Sequence, residues 1–216
     1  MFRYVIAVLF SLFITACQLD VPSEIDSSRL VVPIADANLA AAINHQLGKA
    51  PADPIYFSET TILKKLEAAD KNITNLSGLR YFTALTRLKL STNQISDISE
   101  LKNLTKLDTL DLSNNQISDI GAVGKLRKLK LLYLTNNRIT LTDSLVNLKE
   151  LTKLFLDYNK ISLVTPLKNN CANGGMGTGD YINLSFNRLD SGSVAVDLDL
   201  IKNVYHVNVE HDELKK

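Results

Sequence analysis

Tryptophan is absent from this 216-residue chain, cysteine occurs only twice, and the aromatic residues are limited to seven tyrosines and seven phenylalanines. Two cysteines are too few for a disulfide scaffold or a thiolate zinc site. Neither sign of charge is in excess: 24 Lys and Arg face 23 Asp and Glu, for a formal net charge of +1. A dedicated nucleic-acid binder carries a basic surplus, so that class is set aside. The three histidines, His45, His206 and His211, are scattered, and none forms a pair at helical ligand spacing beside a carboxylate. The leading apolar run, Tyr4 to Ile14, is about half of the ~20 residues needed to span a bilayer.

What the chain does hold is leucine and asparagine, 36 and 19 residues respectively. Leucine seeks a buried core and asparagine favours tight bends, so the pairing predicts many short elements joined by sharp turns. The order behind it is a repeat. Leu85, Leu107, Leu129 and Leu151 are each 22 residues apart, as are Leu88, Leu110, Leu132 and Leu154, and Leu90, Leu112, Leu134 and Leu156. Asn93, Asn115, Asn137 and Asn159 keep the same step, and so do Ile95, Ile117, Ile139 and Ile161. Each Leu-x-Leu reads as a short strand with its leucines inward, and each Asn marks the bend that follows. The ten or so remaining residues are too few for a long helix, which predicts an outer wall of turns or 3₁₀ segments. A single unit has no way to bury its own leucines, so neighbours must stack into one continuous core with a parallel sheet.

The unit Leu79–Glu100 reads L-x-x-F-x-x-L-x-x-L-x-L-x-x-N-x-I-x-x-I, and regular copies follow at Leu101–Ala122, Val123–Ser144 and Leu145–Pro166. A degenerate copy, Phe57–Gly78, precedes them. A swollen copy follows, in which Ile182, Leu184, Asn187 and Leu189 match Leu154, Leu156, Asn159 and Ile161 at a step of 28. That step places six extra residues in the Cys171–Asp180 stretch. The pattern resembles the 22-residue class of leucine-rich repeats found in internalins and related bacterial surface proteins. The resemblance implies an α/β solenoid, a right-handed superhelix whose curved parallel β-sheet forms the concave face.

Both ends need covers, because an end repeat would otherwise expose its leucines. Asp36 is placed to cap a helix over Ala37–Leu47, with Leu39, Ala42, Ile43 and Leu47 on one face. The segment resembles the N-terminal cap of internalin-like proteins. Downstream, Ser193–Lys202 predicts a short helix with Val194, Leu198 and Ile201 inward, and the alternation of Tyr205, Val207 and Val209 predicts a final edge strand.

The first residues read as an address. A basic start at Arg3, the short apolar run and small residues before Cys17 describe a secretory leader. Ile14-Thr15-Ala16-Cys17 resembles the lipobox of bacterial lipoproteins, which implies acylation of the Cys17 thiol, a lipid-anchored envelope protein and membrane association through that lipid. Gln18 follows Cys17 in place of the aspartate that tends to retain such proteins at the inner membrane. In a Gram-negative cell that resemblance points to the outer membrane. The expected organisation is a lipoprotein leader over 1–16, a lipidated tether over 17–30, a helical cap over 31–56, repeats over 57–189 and a C-terminal cap over 190–216.

Candidate chemistry is sparse. The GGMGTG run from Gly174 to Gly179 lacks the Lys-Ser/Thr ending of a phosphate-cradling loop. Cys171, read as lying in the same loop, has no basic partner nearby in sequence to activate it. The expectation is therefore a non-enzymatic protein with no cofactor and no metal. Binding is sought on the outward strand positions, which packing leaves free to vary. The first strands carry mixed polar residues there, Asp111 among them, and Lys65, Arg87 and Lys89 make a small basic patch that could steer an acidic partner. The later strands carry Leu131, Tyr133, Phe155 and Tyr181, while Tyr158 and Phe186 share one position of the bend. This concentration of aromatics fits a binding hot spot. It also fits a cross-strand pair that only stabilises the sheet, by ~0.2–1 kcal/mol, with Phe186 placed where the final cap would cover it. The expected function is capture of a protein partner by a monomeric solenoid; the alternative is an envelope-organising lipoprotein without a dedicated ligand.

Overall fold

The computed structural model describes residues 30–212. Seven three-residue strands form one parallel sheet in chain order: β1 Lys65–Glu67, β2 Arg87–Lys89, β3 Thr109–Asp111, β4 Leu131–Tyr133, β5 Lys153–Phe155, β6 Tyr181–Asn183 and β7 Asn208–Glu210. The register follows the repeat, with Leu66 opposite Leu88, Leu88 opposite Leu110, Leu110 opposite Leu132 and Leu132 opposite Leu154. The middle residue of β1 to β6 points into the core and its two neighbours point out, as strand alternation dictates. Every leucine column named above is buried, and each fully buried side chain contributes roughly 1.5–3 kcal/mol of apolar transfer.

The asparagines join the units. The Asn115 amide oxygen accepts from the Ile95 N–H at 3.0 Å, and its Nδ2 donates to the carbonyls of Leu90 at 2.9 Å and Leu112 at 3.0 Å. Asn137 and Asn159 repeat this arrangement one and two units on. Each side chain thus ties its own bend to the preceding one and satisfies backbone groups that the three-residue strands do not reach. The residue before each bend asparagine has a left-handed backbone, as does Asp70 before Lys71 in the degenerate first unit: φ lies between 54° and 57° at Asp70, Thr92, Asn114, Asn136, Tyr158 and Phe186.

The outer wall consists of 3₁₀ turns at Leu79–Tyr81, Ser99–Asn103, Gly121–Lys125 and Asp143–Leu145. The swollen unit departs from that expectation. It opens with an α-helix over Thr165–Ala172, with Pro166 in its first turn, where proline fits because its missing N–H would have no helical partner. Cys171 therefore lies on this helix and is buried, a correction to its placement in a surface loop. Buried Asn170 closes the insertion, donating to the Leu145 carbonyl at 2.8 Å and accepting from Met176 N–H at 2.9 Å. A Cβ at Gly175 would sit 2.2 Å from the Asn170 amide oxygen, so only glycine fits there.

The ends are closed. Helix α1, Ala37–Gln46, covers the first unit with Leu39, Ala42 and Ile43. Asp36 caps it, accepting from Asn38 and Leu39 N–H through one oxygen and from Thr74 and Asn75 N–H through the other. With the insertion helix as α2, the far end is a π-helical segment, Ser193–Leu198, running into α3, Asp199–Asn203, and then β7. Leu198 and Ile201 are buried there, and Val194 packs partly against the core. The leader, the lipobox and Cys17 lie outside the described residues.

Candidate functional site

The outward side chains of the seven strands form two columns. The first runs Lys65, Arg87, Thr109, Leu131, Lys153, Tyr181 and Asn208; the second runs Glu67, Lys89, Asp111, Tyr133, Phe155, Asn183 and Glu210. Repeat order fixes where each side chain stands, because the middle residue of each strand, between the two columns, packs in or against the core and holds the backbone in place.

In the first half the columns are polar. Lys89 pairs with Glu67 at 3.1 Å, both about half exposed, and Asp111 accepts from Ser113 N–H at 3.0 Å. Arg87 is exposed on β2. Arg87 and Lys89 stand next to each other on one strand, but Glu67 partly neutralises the basic patch that the sequence suggested.

The second half is aromatic. Tyr133 and Phe155 face each other across β4 and β5, their rings stacked with centroids 4.7 Å apart and planes 7° apart. Tyr181, from the other column, leans over to Phe155 at 5.3 Å and 48°. Its hydroxyl donates to the Glu210 carboxylate of β7. Burial, reinforced by that carboxylate, pushes the phenol up to about 12, so it stays a neutral donor at physiological pH. Leu131 is half-buried on the neighbouring column. The three rings are half-buried by one another, and none is among the residues that pack against the core. They hold a flat apolar strip on a surface whose backbone is already fixed.

Tyr158 and Phe186 form a second aromatic pair on the adjoining bend, with centroids 4.2 Å apart and planes 13° apart. Both are more than half open, at 50% and 55%. Phe186 is therefore not tucked under the final cap. The cap passes beside it: its backbone N–H donates to Asp212 while the ring stays outside. Both residues adopt the left-handed conformation that asparagine tolerates and that bulky side chains resist. The sequence showed the pair but not this strain, because neither a tyrosine nor a phenylalanine signals a left-handed backbone.

The 22-residue step and the Asn–carbonyl bridges together set this architecture apart from other parallel solenoids. Residues 105–145 also match the family model described as Leucine Rich repeats, two copies. The fold is a leucine-rich-repeat solenoid. An internalin (inlF) from Listeria monocytogenes superposes on it with a TM-score of 0.69 at 29% identity, covering 83% of this chain and 52% of that one. The chain thus spans about half the length of that internalin. A leucine-rich-repeat protein of Leptospira interrogans superposes with a TM-score of 0.58 at 23% identity, over 72% of this chain and 38% of its own; that likeness shows the fold alone. No curated protein matches the chain in sequence. Within the leucine-rich-repeat frame, Tyr133, Phe155 and Tyr181 stand at positions that the repeat itself does not specify.

Proposed function

We propose that the protein is a cell-envelope lipoprotein that captures a protein partner through the concave face of its leucine-rich-repeat solenoid. Leucine-rich-repeat folds commonly serve as protein-binding scaffolds, and this chain carries the means on its second half. The observation that carries the reading is the continuous run Tyr133–Phe155–Tyr181, stacked on the side of the sheet turned away from the core. Rigid aromatics on a fixed backbone lose little conformational entropy on contact, so their burial goes mainly into affinity. Leu131 extends the apolar strip, Tyr158 borders it on the bend, and Arg87, Lys89 and Asp111 form its polar approach. In this reading the solenoid acts as a binding scaffold and not as an enzyme. The lipobox resemblance at Cys17 supports the anchor, which would hold the concave face at an envelope surface.

Replacing Tyr133 and Phe155 together by serine tests the binding. Loss of a defined partner from envelope pull-downs, with the melting temperature nearly unchanged, is the expected result. Undiminished capture with a clear drop in melting temperature would mean that the rings only hold the sheet, and would favour an envelope-organising role. For the anchor, Cys17→Ser should move the protein from the membrane fraction to the soluble one; retention on membranes would end the lipoprotein reading.

A further inference from the structure

The bends after β2 and β3 differ systematically from those after β4, β5 and β6. At the left-handed position the chain has Thr92 and Asn114, then Asn136, and then Tyr158 and Phe186. Two residues further on, Gln94 and Gln116 give way to Arg138, Lys160 and Arg188. Three residues beyond those, Asp97 and Asp119 accept from the N–H of Ser99 and Gly121, whereas Leu141 and Leu163 replace them and stand 66% and 51% exposed. Three columns of one rim thus change character in the second half of the solenoid: cations stand after β4, β5 and β6, leucines after β4 and β5, and rings after β5 and β6. None of the changes serves the core. The aromatics occupy a backbone conformation that disfavours them, and the leucines replace side chains that completed a local turn.

The geometry points to a second interaction surface: this rim takes a short, extended, acidic segment of a partner protein. The three cations stand in a line along the solenoid axis, one per unit, because backbone hydrogen bonds from Arg138 to Ile117, from Lys160 to Ile139 and from Arg188 to Ile161 keep the bends in register. Adjacent units are about 4.8 Å apart, so the row is about 10 Å long, which matches three or four residues of extended chain. None of the three cations forms a salt bridge among the described residues, in contrast to Lys89 on the concave face. Arginine's planar fork suits carboxylates in particular.

The apolar rows on either side define the rest of the ligand. Tyr158 and Phe186 turn their faces to each other, so ring edges point outward, and edges suit aliphatic side chains better than the flat face of a sugar. A bilayer would demand a broad cationic field. Here the polar Asn114–Asn136 pair and the carboxylates of Asp157 and Asp212, both already hydrogen-bonded, confine the charge to a narrow strip. Asp190 beside Arg188 is likewise partnered.

The test is an array of random eight-residue peptides probed with the full-length chain and two variants. One variant carries Arg138→Gln, Lys160→Gln and Arg188→Gln; the other carries Tyr158→Asn and Phe186→Asn. Each restores a residue type that earlier units already hold at the equivalent place, so both should fold. Peptides retained by the wild type should be rich in Asp and Glu with interspersed aliphatics. They should bind at least tenfold more weakly to the charge variant, and more weakly in 0.5 M salt. They should still bind the Tyr133→Ser/Phe155→Ser protein, which separates this rim from the concave site. The proposal is overturned if no peptide distinguishes wild type from the charge variant, or if the distinguishing peptides are neutral or basic. It is equally overturned if the variants differ from wild type only in binding phosphatidylglycerol vesicles.

Discussion

Asn137→Ala should be among the costliest single polar substitutions in the repeats, and the size of the loss follows from its partners. Its Oδ1 is the acceptor for the Ile117 N–H at 3.0 Å, and its Nδ2 serves the carbonyls of Leu112 at 3.0 Å and Leu134 at 3.1 Å. The two carbonyls are not stranded by the substitution. Leu112 keeps the amide of Asn115 at 3.0 Å, and Leu134 keeps that of Asn159 at 2.9 Å. The Ile117 N–H has no second acceptor, and with Asn137 only 6% exposed water has little access to it. An orphaned buried donor costs ~1–3 kcal/mol, and each lost bond to a carbonyl that retains another donor costs ~0.5–1 kcal/mol, for a total of about 2–5 kcal/mol. Asn93 makes the same kind of bonds, to Ile73 N–H at 2.9 Å and Ala68 O at 2.9 Å, but lies near the end of the stack and is only half-buried. Water replaces part of what Asn93→Ala removes, so its cost should be smaller by at least 1 kcal/mol. Urea unfolding followed by far-ultraviolet circular dichroism measures both. A loss under 1 kcal/mol for Asn137→Ala, or equal losses at the two sites, would refute the ladder account.

Two further outcomes concern the N-terminal cap and the insertion helix. Burial opposes ionisation of Asp36, but donors from Thr74, Leu39 and Asn75 outweigh it and hold the carboxyl below its ordinary value of 3.8. A carboxylate lowered in the folded state adds stability that is present above the unfolded pKa and lost as pH falls through the folded one. The melting temperature should therefore fall as pH drops below about 4, and Asp36→Asn should flatten that fall while costing about 1 kcal/mol at pH 7 as a weakened helix cap. A pH profile of the variant that parallels the wild type would show that Asp36 is not responsible. Burial also pushes the Cys171 thiol up to about 11, so iodoacetamide at pH 8 should label native protein far more slowly than urea-unfolded protein. Equal rates would place that thiol at the surface.

The parts of the fold that were legible in the sequence are those where one physical demand recurs at a fixed interval. Leucine columns, asparagine bends and strand register all follow from the need to stack, and each appears four or more times. The swollen unit occurs once and offers no such averaging. There the chain length was clear but its conformation was not, because Thr165–Ala172 is short and sets only Leu167 and Cys171 against Lys168, Asn169 and Asn170, too few apolar positions to fix a helical period. Asn170, which locks the insertion through backbone carbonyls of another unit, has no counterpart in the repeat and left no signal. The concave aromatics were visible because strand alternation says which residues face outward. Their ring geometry was not, since Tyr181 belongs to the first column and reaches Phe155 only by leaning across.

The repeat also supplies its own control for judging which surface residues matter. Units built on β2 and β3 show what the rim and the concave columns look like when only stacking is demanded: Thr, Asn, Gln and Asp, with short hydrogen bonds inside each bend. Units built on β4 to β6 keep an inward aliphatic residue at each strand position and the bend asparagine of that plan, so the core asks for nothing different from them. Their outward residues nevertheless change on two faces at once, to stacked rings on the sheet and to rings, cations and leucines on the bend. A difference that stability does not require, spread over three adjacent units, is what a contact surface laid across those units would impose. The C-terminal half is accordingly where loss of binding should be separable from loss of folding, and on the N-terminal half substitutions of outward residues other than Arg87, Lys89 and Asp111 should change neither.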